Sequence, residues 1–373
     1  MAIGMEGREA EMKIIIAGGG TGGHIFPALA IANALKNMIP GLELLFVGAK
    51  GKMEMDKIPA AGYKIEGLDI AGYNRSSLIK NIGLPFKLVK SFMQVRKIFK
   101  SFKPDAVVGV GGYSTFPVLR FAQSNGIPSF IHESNSLPGK SNIMLGKRAT
   151  EIFVPSAGME KYFPAQKIMV TGNPIRKVFS EEIDQDEALK FFGLQPELKT
   201  VFVMGGSLGA KSINETIDEN IDVFKKNNLQ LIWQTGKTYS AKAAKLEEER
   251  SNIWTNAFID KMENAYAAAD VVVARSGAMT VAEICAVGKP VIFVPYPFAA
   301  EDHQTVNAMS LVNKKAALIV ADEKVKNELF PCLLQLMKDE KMMNELGNNV
   351  SELKNINADI TIAAEIINQI KKN

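Results

Sequence analysis

The residues able to do chemistry gather at glycine-rich turns. His24 follows "GGGTGG", five glycines in the six positions 18–23. Imidazole takes up a proton near neutral pH, and glycine amides at a helix start hold an anion. A histidine beside a bound phosphate ester is suited to deprotonating an attacking hydroxyl; the alternative is a histidine that caps or packs. "IHESNSLPGKSN" places His132, Glu133, Asn135 and Asn142 after an apolar run. Asn135 suits a sugar hydroxyl, and Glu133 suits holding either His132 or its own loop; the alternative is a loop bonded to itself through Asx turns. "RSGAMTVAE" sets Glu283 one turn into a helix, where its carboxylate can accept both hydroxyls of a ribose or simply favour the helix N-terminus. His303 and Gln304 open a further helix. The three histidines lack His-x3-His spacing and no Asp-x-Asp pattern accompanies them, so no protein-bound metal or other cofactor is expected.

The first turn fits G-x-G-x-x-G at Gly18, Gly20 and Gly23, which raises a dinucleotide site. That site needs an acid at the end of the second strand to hold a ribose. Here the second strand ends "LLFVGAKGKME", with Gly, Ala and Lys where the acid belongs, which disfavours a nicotinamide enzyme. Three more turns, "GVGGYSTFP" (109–117), "MGGSLGAKSIN" (204–214) and "RSGAMTVAE" (275–283), also stand between strand and helix. Four such turns at carboxyl ends of strands mark where open α/β sheets bind ligands.

The elements that position these turns are short apolar strands alternating with helical stretches. "KIIIAG", "ELLFVGA", "DAVVGVG", "PSFIHES", "EIFVPS" and "KIMVTG" fill the first half; "TVFVMGG", "LQLIWQTG", "NIWTNAFI", "ADVVVARSG", "KPVIFVPYP" and "AALIVAD" fill the second. Strands apolar along their whole length belong to sheets covered on both faces, and the alternation implies doubly wound parallel sheets. "TGNPIR" followed by the polar stretch from Ser180 to Lys199 breaks the pattern. The expected domains are therefore 12–173 and 174–354, after a disordered lead-in at 1–11, with a last helix at about 355–373 crossing back to the first domain. Two facing sheets would place the substrate in a cleft between them.

Composition narrows the partners. Residues 1–173 hold 21 Lys and Arg against 12 Asp and Glu, and the remainder 23 against 28, so the halves carry opposite net charge. No secretory h-region opens the chain and no uncharged apolar run reaches the ~18 residues of a membrane helix. Cys285 and Cys332 sit in apolar runs and are expected as buried small hydrophobes in a reducing compartment. Between Ile70 and Pro104 there is no acid but eight basic residues, including Lys87, Lys90, Arg96, Lys97, Lys100 and Lys103, interleaved with Phe, Leu, Val, Ile and Met. Such a segment is either a solvated amphipathic helix or a face for anionic lipid; nucleic acid is disfavoured, since no binding motif accompanies the charge.

Taken in order, "GGTGGHIFPALA", "GVGGYSTFP", "HESNSLPGKSN", "TGNPIR", "GGSLGA", "QTGK" and "RSGAMTVAEICAVGKPVIFVPYP…DHQTVNA" resemble the MurG family across roughly residues 13–310. The resemblance implies a GT-B fold, two Rossmann-like domains with parallel sheets facing an interdomain cleft. It implies an inverting transfer of N-acetylglucosamine from UDP-N-acetylglucosamine to the C4 hydroxyl of MurNAc-pentapeptide on undecaprenyl pyrophosphate (lipid I), forming the peptidoglycan precursor lipid II. By the same resemblance His24 is the candidate base, with Asn135 and Glu283 completing the catalytic set. Thr21, Gly22, Gly23 and Asn135 meet the donor or acceptor; Arg176 and Ser207 face the donor diphosphate; Ile259 meets the uracil through its backbone. Ala278, Met279, Thr280, Val281, Ala282 and Glu283 cradle the nucleotide, and Gln304 binds the sugar hydroxyls. Gly20, Thr21, Gly22, His24, Gly111, Gly112 and Tyr113 form the acceptor side, toward the lipid pyrophosphate. The implied location is peripheral, on the cytoplasmic face of the bacterial inner membrane, with cell-wall synthesis proteins as partners. Leu208 departs from the family, which commonly has Gln in the "GGSQGA" turn. The rival readings are another GT-B enzyme, such as a lipid glucosyltransferase or a UDP-N-acetylglucosamine 2-epimerase, and a non-catalytic sugar-nucleotide sensor.

Overall fold

The structure, a computed structural model, describes residues 12–72, 83–206 and 209–372. The lead-in at 1–11, and Ser207 and Leu208 of the third turn, lie outside the described residues. The chain forms two compact units. The first comprises Met1–Ser134, Pro138–Pro174 and Asn357–Asn373; the second comprises Asn135–Leu137 and Ile175–Ile356. The boundary thus follows Pro174, and Asn135, expected in the first domain, groups with the second unit.

The first unit is built on strands β1 (Lys13–Gly18), β2 (Glu43–Ala49), β3 (Lys64–Leu68), β4 (Ala106–Gly111), β5 (Ser129–His132), β6 (Glu151–Val154) and β7 (Ile168–Val170). They form one parallel sheet in the order β3-β2-β1-β4-β5-β6-β7. Successive residues of β1 point to opposite faces. Ile14 and Ile16 therefore join one apolar cluster, and Ile15 and Ala17 join the other. The first cluster is closed by Ile25, Ile31 and Leu35 of the helix Gly22–Met38 and by Ile362, Ala363 and Ile366 of the helix Ala358–Lys372. The last helix thus completes the core of the first unit, although it follows the whole second unit in sequence.

The second unit has strands β8 (Lys199–Met204), β9 (Leu229–Gln234), β10 (Ile253–Asn256), β11 (Val271–Ala274), β12 (Val291–Phe293) and β13 (Leu318–Ile319), parallel, in the order β10-β9-β8-β11-β12-β13. β8 divides its side chains in the same way: Phe202 and Met204 go to one core, Val201 and Val203 to the other.

Both sheets reverse their winding next to their first strand, between β1 and β4 and between β8 and β11. At such a switch point the helices on either side run to opposite faces and leave a crevice at the carboxyl ends of the strands. The four glycine turns stand there: 18–23 after β1, 111–112 after β4, 205–206 after β8 and 275–277 after β11.

Candidate active site

In the first unit the two glycine turns pack on each other. Gly20 holds φ at +89° and Gly111 at +98°, a region that only glycine enters without strain. The Gly19 N–H donates to Gly111 O at 3.1 Å. A Cβ at Gly112 would collide with Gly19 O, and one at Gly111 would stand 2.6 Å from His24 Nε2. The second turn is glycine-rich because the first turn and the His24 ring occupy the space a side chain needs.

His24 is the third residue of the helix Gly22–Met38 and is half-buried. Its Nδ1 lies 2.9 Å from Gly19 O. A carbonyl only accepts, so Nδ1 carries the hydrogen, and in the neutral ring Nε2 keeps its lone pair. Nε2 is the nitrogen on the Gly111 side. Thr21 precedes the helix with extended backbone, and the first-turn amides of Gly22 and Gly23 are donors that helix geometry leaves open for an anion. Pro27 has no N–H to reach back to Gly23 O, and the Ser134 hydroxyl approaches that carbonyl at 3.5 Å instead.

The Gly20 amide is already engaged. Its N–H donates to Glu54 Oε2 at 2.7 Å, so this amide is turned inward and is not offered to a ligand. Glu54, 1% exposed, also accepts from Ala49 N–H at 2.9 Å. An acid therefore does follow the second strand, but it binds backbone where a dinucleotide enzyme would bind ribose. Tyr113 is 48% exposed, with its ring lying over Gly72, where a Cβ would overlap it.

His132 ends β5 and is fully enclosed. Burial drives its pKa down to about 3, the Asn173 side chain opposes this in part, and the charge on His24 adds to the lowering. It is a neutral ring near pH 7. Glu133 holds its loop and not His132: its Oε2 accepts from Asn142 Nδ2 at 2.8 Å and from Gly139 N–H at 3.2 Å.

In the second unit the helix Ala278–Val287 starts at the β11 switch point, with Gly277 as an extended N-cap. Ala278, Met279 and Thr280 form its first turn, whose amides and dipole face an anion favourably. Val281 and Ala282 follow, partly buried against the core. Glu283 receives the Tyr266 hydroxyl at 3.0 Å. Desolvation pushes its carboxyl up to about 7, with the Arg176 charge and the Tyr266 bond pulling the other way. Burial and the neighbouring Glu283 raise the Tyr266 hydroxyl well above its usual value. The Arg176 guanidinium stacks on Phe179, 4.5 Å from the ring centre. The structure thus brings together Arg176 and Glu283, 107 positions apart.

Ile259 is buried, and its N–H donates to Gln234 Oε1 at 3.0 Å; a base accepting from that amide must displace the Gln234 side chain. Gln304 Oε1 accepts from Tyr296 N–H at 2.9 Å, which leaves its amide hydrogens as the groups to present to a sugar. Asn135 Oδ1 lies 3.4 Å from Asn307 Nδ2. Ser207 lies outside the described residues.

Two residues without an assigned role in the sequence are structural hubs of this unit. Asn307, 3% exposed, accepts from Ser136 N–H at 3.1 Å and donates to Ser276 O at 3.3 Å. Arg275 donates to Val294 O and Pro295 O, each at 3.0 Å, and meets Asp322 at 2.6 Å and Ser212 Oγ at 2.9 Å. Both stand in quoted motifs, "RSGAMTVAE" and "DHQTVNA", and a polar residue in an otherwise buried segment is the signal that marks them.

On the basic segment, the helix Leu84–Phe102 buries Ser91, Val95, Ile98 and Phe99 and leaves Phe86, Val89 and Met93 exposed at 77%, 61% and 62%. Lys87, Lys90, Arg96, Lys97, Lys100 and Lys103 are all exposed. Lys90 differs from the rest in pairing with Asp69 at 2.9 Å. Among the described residues no helix is long and apolar enough to cross a membrane. Cys285 is buried, its thiol pushed up to about 12, and Cys332 is half-buried; both are free.

Two doubly wound parallel sheets, each with glycine turns at its switch point, form the GT-B architecture, and the family matches make it a glycosyltransferase. Residues 14–154 match the glycosyltransferase family 28 N-terminal domain and residues 200–362 match the glycosyltransferase family 28 C-terminal domain. The chain is 48% identical over 363 residues to the UDP-N-acetylglucosamine--N-acetylmuramyl-(pentapeptide) pyrophosphoryl-undecaprenol N-acetylglucosamine transferase of Parabacteroides distasonis, covering 96% of this chain and 99% of that one. It is 45% identical over 367 residues to the enzyme of the same name from Bacteroides fragilis, covering 97% of each. The crystal structure of Acinetobacter baumannii MurG superposes with a TM-score of 0.79 at 28% identity, over 96% of this chain and 99% of that one. The chain belongs to the MurG family of glycosyltransferases.

Proposed function

We propose that this protein transfers N-acetylglucosamine from UDP-N-acetylglucosamine to the C4 hydroxyl of MurNAc in lipid I, with inversion, to form lipid II. The observation that carries the reading is the set of His24, its open Nε2 and the glycine turns that fix it, in a chain of this family. Nε2 takes the proton of the acceptor hydroxyl as its oxygen attacks the anomeric carbon. The bond from that carbon to the UDP oxygen breaks, and the diphosphate leaves with its charge. Neutralising that charge falls to Arg176, Ser207 and the first-turn amides of the helix Ala278–Val287 rather than to a protein-bound metal. Glu283 binds the donor ribose, Ile259 the uracil and Gln304 the sugar. Gly22, Gly23 and Thr21 receive the acceptor pyrophosphate, with Gly111, Gly112 and Tyr113 flanking it.

The exposed Phe86, Val89 and Met93, flanked by Lys87, Lys97 and Lys100, support a peripheral location at an anionic membrane surface, on the cytoplasmic side where UDP-sugars are made. The test of the whole reading supplies UDP-N-acetylglucosamine and a soluble lipid I analogue and follows UDP and disaccharide. Donor hydrolysis without disaccharide, or epimerisation of the donor without acceptor, refutes it. His24→Ala is expected to cut turnover on the order of 10²–10⁴-fold with UDP binding retained; unchanged turnover clears His24.

A further inference from the structure

We propose that Glu54 is a positioning residue for His24 and acts through the peptide that joins Gly19 to Gly20. The inference rests on His24 being the base. Glu54 Oε2 accepts the Gly20 N–H at 2.7 Å, and Gly19 O accepts from His24 Nδ1 at 2.9 Å. These are the two ends of a single amide. A carboxylate on the N–H drives amide electron density toward the carbonyl oxygen, which makes that oxygen a stronger acceptor. The stronger acceptor holds hydrogen on Nδ1 and leaves the lone pair on Nε2. An acid orients a catalytic imidazole directly in hydrolase triads; here one peptide stands between the two.

The surroundings hold this arrangement in place. Glu54 is 1% exposed, and its second oxygen is tied to Ala49 N–H at 2.9 Å, so the carboxylate cannot swing away. It lies between two glycines. A Cβ at Gly19 would overlap its Cδ, and one at Gly48 would come within 2.5 Å of its Cγ. Glu54 itself does not reach the reacting atoms, so its effect passes through His24 alone.

The test uses the full chain labelled with ¹⁵N-histidine. Only three histidines are present, and His24→Ala assigns the resonance of His24. Long-range ¹H–¹⁵N correlation reads its tautomer. Wild type is expected to show Nδ1–H. Glu54→Gln cannot accept from both Gly20 and Ala49, and it is expected to raise the Nε2–H fraction. It is also expected to lower kcat on the order of 10-fold while the KM for UDP-N-acetylglucosamine holds. Placed on His24→Ala, Glu54→Gln is expected to cost nothing further, since the two act as one unit. Should Glu54→Gln fail to fold, Glu54→Asp keeps the charge one methylene away and is read in the same way, with a smaller shift expected. A tautomer unmoved in the folded variant, or losses that multiply in the double variant, overturns the coupling. Full turnover in His24→Ala instead overturns the base reading, and the tautomer experiment still reports whether Glu54 governs the ring.

Discussion

Replacing Glu283 with Gln is expected to stabilise the second unit at alkaline pH while weakening its hold on the donor. Desolvation raises the Glu283 carboxyl from 4.5 to about 7. A group with a raised folded pKa binds its proton more tightly in the native state. Its stabilisation is therefore complete below pH 4.5 and declines as pH rises through 7. A rise of about 2.5 pKa units corresponds to about 3 kcal/mol lost by pH 8. Gln fits the same space, still accepts the Tyr266 hydroxyl, and never ionises. Glu283→Gln should match wild type near pH 4.5 and exceed it by about 3 kcal/mol at pH 8. With a urea slope of about 2 kcal/mol/M, the midpoint moves by about 1.5 M. Both tryptophans of the chain, Trp233 and Trp254, lie in the second unit, so their fluorescence follows this unit alone. UDP titration should show weaker binding, because a neutral amide replaces the carboxylate proposed to accept the ribose hydroxyls. A midpoint difference that is equal at pH 5 and pH 8, or a loss of stability at pH 8, refutes the burial argument.

Three further outcomes follow from the geometry. Gly111→Ala puts a methyl group 2.6 Å from His24 Nε2 and should reduce turnover more than 10-fold with UDP affinity unchanged; wild-type turnover would show that the ring is not held there. Arg275→Ala leaves Asp322 with the Ser212 hydroxyl but without its counter-charge, and the Val294 and Pro295 carbonyls without their donor, and should destabilise the second unit by about 3 kcal/mol in urea unfolding followed by tryptophan fluorescence. Exchanging Phe86, Val89 and Met93 for Ser together should weaken sedimentation with anionic vesicles while leaving turnover on a soluble acceptor intact; unaltered sedimentation returns this helix to an ordinary solvated face.

Much of the fold is written in local pattern. Continuous apolar runs such as "KIIIAG" specify strands buried on both faces, because a strand residue meets one face or the other and both are covered. The glycine turns, the two halves and the family motifs are likewise legible along the chain, as is His24 at the edge of its turn. Tertiary structure alone decides what lies far apart in sequence. The order of strands sets the switch points between β1 and β4 and between β8 and β11, and no periodicity encodes which strand lies beside which. Glu54 reaches Gly20 across 34 positions and takes up its amide hydrogen. Asn307 reaches Ser136 across 171. The Glu283 carboxyl moves to about 7 because the folded chain strips water from it, against the opposing pull of Arg176 and the Tyr266 hydroxyl. Residue type and spacing specify which groups are present and which faces are apolar. Desolvation and long-range hydrogen bonds depend on what the folded chain packs around each group, and these determine how acidic it is and which way it points.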